Sequence, residues 1–306
     1  MKIYNFIFKK ETWLPILILI VVGFFIYSFN LNNQLFWDDD DWIINNQFVH
    51  SISWDNIKFW FTQNTLAGVG LKSNYYRPFL FLTFAFNYMI SGIKPLAYHL
   101  TSNAIHIFNS IFIFWLIKQI FKRNLLAFLV SIFFLVHPLQ TEAVSYISGR
   151  GDTLVTMFML LALLVFIKNQ TIKSLKLYAL SLIFLVLGLL SRETAIIFPV
   201  LALAFYISFI SKERFIASIK QGILKTWPYF GVALVYGILR LTVLNFQNTL
   251  NFYAEPNLYS ENLHVRLFTF LPILWNYLKL LLIPLGLHME RGSVVYSSLF
   301  QWPVWP

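Results

Sequence analysis

The chain has no cysteine, which excludes disulfides and thiolate metal sites. Charge is scarce: Asp, Glu, Lys and Arg make up 12% of its 306 residues, about half of the roughly 25% usual in a soluble domain. Acid is scarcest, with 13 Asp and Glu against 23 Lys and Arg. A glycine-rich nucleotide loop, an internal repeat and a low-complexity linker are all absent from the sequence.

What fills the chain is apolar. Hydrophobic residues make up 58% and aromatics 19%, and the mean hydropathy is +0.67. Runs of roughly 18 or more apolar residues follow one another, the pattern of a multi-span membrane protein. Lipid cannot satisfy backbone polar groups, so each span is predicted to be helical. Spans are expected near 13–30, 97–117, 125–137, 152–168, 174–191, 194–211, 226–245 and 265–287. The predicted fold is an all-α polytopic bundle of about eight spans, forming one domain over 1–306. The third span is short and is expected to extend through the polar segment after it. Lys2, Lys9 and Lys10 before Leu14–Phe29 resemble a signal peptide without a small-residue cleavage site, so an uncleaved first span is expected.

Net charge is +10. The basic residues fall between apolar runs, where membrane topology rather than nucleic acid explains them. The stretch 77–91 decides the orientation. Its apolar part is too short to cross comfortably. If it does not cross, the basic loops 118–123, 168–176 and 212–225 share the side of the N-terminus, as the positive-inside rule requires. It is therefore expected to be re-entrant or interfacial. The segment 31–96 becomes a large first extracytoplasmic loop. Within it Trp54, Ile57 and Phe61 fit a short helix on the bilayer surface or, equally, packing beneath a loop.

The outer face then gathers Asp38–Asp41, Lys72, Arg77, His137, Glu142, Arg150, Asp152, Arg192 and Glu193. Four consecutive carboxylates repel one another unless water, a cation or a cationic ligand balances them. Such a run supplies a general base or oxygen ligands for a divalent cation, or is simply a solvated acidic loop. Arg77, before Pro78, suits a phosphate or a lipid headgroup. Arg150 and Asp152 read as a functional pair or as an ion pair joining two spans. Arg192 and Glu193 read as a tight turn or as a cation aimed into the outer cavity. His99 and His106 are expected to hydrogen-bond between helices.

These blocks, in this order, resemble the transmembrane O-mannosyltransferases with tetratricopeptide repeats and their bacterial relatives. The matching stretches are Phe36–Asp39 with Asn45-Asn46, Tyr76-Arg77-Pro78 with Asn87-Tyr88, and Tyr98-His99-Leu100 through His106. They continue with His137-Pro138, Thr141–Val144, Gly149-Arg150 with Asp152, Glu193-Thr194-Ala195, Arg266-Leu267 and the Tyr277–Leu287 run. The resemblance implies a GT-C glycosyltransferase fold related to the protein O-mannosyltransferases. It also implies a polyprenyl-phosphate sugar donor, typically dolichyl phosphate mannose, and an acidic pair in the first outer loop as the catalytic motif. That pair aligns with Asp38 and Asp39, and Asp38 is favoured because it follows the aromatic residue. Asp40 and Asp41 are extra, and are weak metal candidates. Arg150 is the first choice for the donor phosphate, with Arg77 and Arg192 as competitors, and His137, Glu142, Asp152 and Glu193 are further cavity candidates. Two departures stand out: Gln140 replaces a second histidine of the family's His-Pro-x-His motif, and the chain ends before the further spans and repeats of longer members.

The expected activity is inverting transfer of a sugar, mannose by resemblance, to a hydroxyl of a protein or glycan acceptor. It would occur on the extracytoplasmic face of a bacterial inner membrane or the endoplasmic reticulum. No cofactor is demanded, and a divalent cation is compatible with the acidic run. The rivals are a lipid-A or cell-wall sugar transferase using another polyprenyl-phosphate donor, a transporter or channel with an acidic mouth, and an inactive assembly partner.

Overall fold

The computed structural model describes residues 12–246, 257–288, 292, 294–298 and 300–301. The expectation for Lys2, Lys9 and Lys10 lies outside them. The chain forms two units, a large one ending at Gln247 and a small one beginning at Asn248. All regular structure among the described residues is helical.

The main helices of the large unit are α1 (Trp13–Tyr27), α2 (Trp54–Thr62), α3 (Pro78–Ser91), α4 (Leu96–Phe121), α5 (Asn124–Val136), α6 (Thr141–Ser145), α7 (Arg150–Ile172), α8 (Leu175–Ser191), α9 (Phe198–Phe205) and α10 (Phe215–Leu241). The small unit holds α11 (Leu258–Glu261) and α12 (Leu263–Leu282). Among the described residues six helical segments are long and apolar enough to cross a membrane, and the count reaches seven when α5 and Pro138–Ser145, bent by 51° at His137, are taken as one span. The expected extension of the short third span is this bent pair. At 17 residues, α8 is a shorter apolar helix, so the described residues hold six or seven candidate spans against the eight expected.

The bundle turns its polar side chains inward. On α4, His99, Ser102, Asn103, His106, Asn109 and Ser110 are buried, whereas Leu100, Phe108 and Trp115 are exposed. Lipid is as apolar as leucine, so interhelical hydrogen bonds and close packing hold such helices together. The Tyr27 hydroxyl donates to the Leu135 carbonyl at 3.2 Å and lies 3.3 Å from His106 Nε2. Asn30 and Asn103 exchange side-chain bonds at 2.9 and 3.0 Å. His106 therefore ties α4 to α1 and α5, the interhelical role expected of it. His99 instead reaches the Asn33 carbonyl, 3.0 Å away, in the loop after α1.

The loop between α1 and α4 is a packed layer. Trp42, Ile43, Val49 and Trp60 join Leu80, Phe81 and Phe84 of α3, Tyr98 of α4 and Leu154 and Phe158 of α7 in one core. Helix α2 begins where the Ser53 hydroxyl accepts the Asn56 N–H at 3.1 Å, a normal N-cap. Its inward anchor is Trp60, 2% exposed, while Trp54 and Phe61 point outward. The Trp54-Ile57-Phe61 stripe is thus not what seats this helix. Helix α3 opens on Pro78, whose fixed φ suits a first helical position, and buries Leu80, Phe81, Phe84, Ala85 and Asn87. With 14 residues it is shorter than a span.

Side-chain bonds gather one set of helix ends. Asn30 bonds Ser145 at 3.1 Å, and Arg240 donates to the Asn74 carbonyl. The basic turns after α4, α7 and α9 lie at the opposite ends of their helices.

Candidate functional site

The acidic run is shaped by its backbone. Trp37 adopts φ +57°, a left-handed conformation costing roughly 1–2 kcal/mol in a residue with a Cβ. This reversal lets the Phe36 N–H donate to Asp39 Oδ2 at 3.2 Å. The next turn is wide, closed by the Asn45 N–H on the Asp40 carbonyl at 2.8 Å. Such i→i+5 turns are rare and recur at functional sites.

The four carboxylates then part company. Asp39 is fully buried. Its Oδ1 accepts the Ser148 N–H at 2.8 Å and the Ser148 hydroxyl at 2.5 Å, so both of its oxygens are engaged. Asp38 and Asp41 are half-buried and Asp40 is exposed. Burial raises the Asp39 pKa above the ordinary carboxylate value, although the bonds from Ser148 and Phe36 and the charge of Arg150 oppose the shift. Tyr146 packs against Phe36 and Trp37, with ring centroids 5.2 and 6.1 Å away. Its phenol is held above its ordinary pKa, by burial first and by the adjoining Asp38 carboxylate second. No group of three or more His, Asp or Glu that would hold a metal forms among the described residues.

The three arginines also differ. Arg150 is 0% exposed. Its guanidinium donates to Ser102 Oγ at 3.0 Å, Thr83 Oγ1 at 3.1 Å, Asn87 Oδ1 at 2.7 Å and the Tyr98 carbonyl at 2.8 Å. The Phe84 ring lies 4.9 Å from its central carbon. A phosphate has no access to such a group. The first choice from sequence for the donor phosphate is therefore a buried tie between α3, α4 and α7. Its partner is not Asp152, and all four acceptors are neutral. Arg77, 7% exposed, pairs with Glu193 at 3.4 Å and stacks on Tyr75 at 4.7 Å. Glu193 also accepts the Tyr76 N–H at 3.2 Å. Arg192 pairs with Asp152, and these side chains are the more open, 29% and 44% exposed.

The remaining candidates separate likewise. Glu142 is exposed near Asp152 and Arg192. His137 is buried at the bend after α5, where its Nδ1 accepts the Leu139 N–H at 3.2 Å. It serves the bend by capping the turn at Pro138. Two parts of the site join through one stretch: Ser148 holds Asp39, and four residues later Asp152 holds Arg192. The sequence reading passed over Tyr146 and gave Ser148 no role of its own. Nothing local to 36–39 signals either partner, which lies more than a hundred residues further along the chain.

Comparison with known proteins adds a relationship. The chain is 27% identical over 292 residues to protein O-mannosyl-transferase F38B6.6 of Caenorhabditis elegans, covering 93% of this chain and 40% of that protein. It is 34% identical over 146 residues to protein O-mannosyl-transferase TMTC3 of Homo sapiens, covering 45% of this chain and 16% of that one. It is 32% identical over 152 residues to protein O-mannosyl-transferase tmtc2 of Xenopus laevis, covering 48% and 18%. The chain is related to the protein O-mannosyl-transferases. It spans less than half the length of these relatives. No family model and no solved structure matches it.

Proposed function

We propose that the chain is a GT-C-type membrane glycosyltransferase. It moves a sugar, mannose by the name its relatives carry, from a polyprenyl-phosphate donor to an acceptor hydroxyl on the extracytoplasmic side. The observation that supports this most is the shared stretch 142–152, which anchors the acidic turn at Ser148 and the arginine pair at Asp152, in a chain related to proteins named O-mannosyl-transferases.

The roles follow from exposure. Asp38, half-buried, takes the acceptor hydroxyl proton as the oxygen attacks the anomeric carbon. The bond from that carbon to the phosphate oxygen breaks on the opposite face, so the configuration inverts. The polyprenyl phosphate leaves as an anion already stable in water, so neither a strong general acid nor a metal is required. Asp39, with both oxygens engaged, positions Asp38 rather than accepting the proton. Arg192 is the arginine open enough to meet the leaving phosphate, exchanging Asp152 for it as charge develops. Arg77 stands beside it, held by Glu193.

The test is transfer of labelled sugar from a panel of synthetic polyprenyl-phosphate sugars by membranes containing the full chain. Mannose transfer by the wild type that is lost in Asp38→Asn supports the reading. Equal transfer by the two overturns the base. Cation uptake without sugar transfer from any donor points to a transporter.

A further inference from the structure

We propose that the basic end of the large unit holds an anionic phospholipid by its phosphate, in a cavity between the α7–α8 turn and α10. The cavity measures about 420 Å³, within the roughly 300–1,000 Å³ of small-molecule sites. Lys173 and Lys225 line it, and none of its lining residues is acidic.

The local chain builds the cavity. Helix α7 ends at Lys173, which takes φ +53°. The Ser174 N–H then donates to Asn169 Oδ1 at 2.7 Å, and α8 starts at once. On the far wall the Tyr178 hydroxyl donates to the Lys225 carbonyl at 3.1 Å, tying α8 to α10. Both lysines stay exposed, so their ammonium groups are available to an anion.

The depth of the site points to a lipid. Helix α10 has 27 residues, whereas about 20 cross the hydrocarbon. With the apolar span expected at 226–245, its first turns, with Lys220, reach past the apolar layer, and Lys225 lies at the headgroup boundary. On the rim Leu224 is 64% and Trp227 63% exposed. Tryptophan favours that boundary, and lysines there attract anionic lipid. A soluble phosphate would satisfy the lysines and leave the apolar rim bare. A phosphate carrying acyl chains covers both. The inference does not depend on which side of the membrane this end faces.

The test is native mass spectrometry of the full chain in neutral detergent, titrated with dioleoylphosphatidylglycerol. Lys173→Gln with Lys225→Gln should weaken retention of one lipid adduct about twenty-five-fold, each lysine being worth about fivefold at an anionic surface. Lys212→Gln with Lys220→Gln removes equal charge from the same end outside the cavity and should change retention less than threefold. Dioleoylphosphatidylcholine should give no such adduct, and millimolar inorganic phosphate should not displace the lipid. Equal losses in the two double variants, equal retention of phosphatidylcholine, or displacement by phosphate would each overturn the proposal. Unchanged melting temperatures in neutral detergent show that the variants fold.

Discussion

Arg150 and Arg192 stand near each other at one end of the bundle, yet their surroundings differ. Arg150 sits among Ser102, Thr83, Asn87 and the Tyr98 carbonyl with no exposed surface. Arg192 shares a half-open pair with Asp152. Asp39 and Asp38 repeat the contrast, one sealed against Ser148 and the other half-open. A buried charge with every neighbour satisfied holds helices in place, and removing it strands its partners. A half-open charge can exchange its partner for a ligand. Burial, rather than residue type, is what separates the two arginines and the two aspartates, and the proposed roles follow it.

The contrast is sharpest for the two acids. Asp38→Asn should lower sugar transfer by about 10²–10⁴-fold, the usual contribution of a general base, with no change in melting temperature. Transfer kinetics and thermal unfolding on one preparation check both halves. A melting loss as large as the activity loss would erase the distinction from Asp39.

For the arginines the weights reverse. Arg150→Ala should destabilise the fold by about 3–5 kcal/mol, because it empties a buried site and orphans several acceptors. The readout is the yield of monodisperse protein and its melting temperature. Arg150→Lys should not restore it, since an ammonium cannot reproduce the planar fork. Arg192→Ala should cost under about 1 kcal/mol, as open ion pairs do, while raising KM for the donor.

Ser148→Ala lies between these in stability. It removes one hydrogen bond to a buried carboxylate, worth about 1.5–3 kcal/mol. A melting temperature equal to the wild type would show that the Ser148 and Phe36 N–H groups suffice to hold Asp39.

The smallest effect is on pH. The folded-state pKa of Asp39 is raised by burial, so the folded chain binds this proton before the unfolded chain does. The resulting stabilisation is full below the unfolded value, near 3.9, and is lost as pH rises through the folded value. The melting difference between wild type and Asp39→Asn should therefore shift against the wild type as pH climbs out of the carboxylate range. A difference flat across that range would show that Asp39 is not perturbed.

Much of the architecture was legible because hydropathy and length govern membrane helices directly. The short 77–91 helix and the extension of the third span both follow from counting apolar residues against bilayer thickness. The roles of Arg150 and Asp39 were not legible in the same way. The acceptors of Arg150 come from α3 and α4, and Ser148 lies far along the chain from Asp39. No local pattern announces such partners. From sequence Arg150 stands as the donor-phosphate candidate that the family resemblance implies, or as an ion-pair partner of Asp152. The bundle instead turned it inward and gave Asp152 to Arg192. The Trp54-Ile57-Phe61 stripe leaves Trp54 and Phe61 exposed, and the deepest anchor of this helix, Trp60, lies off it.

The account rests on Asp38 being open at the end of the bundle opposite the basic turns and on the non-cytosolic side. Since the chain has no cysteine, Asp38→Cys and Lys212→Cys each carry a single thiol. Labelling with a membrane-impermeant maleimide, on sealed vesicles of known orientation, should modify position 38 from the non-cytosolic face only and position 212 from the cytosolic face only. Labelling of position 38 from the cytosolic face, or of both positions from one face, would contradict it.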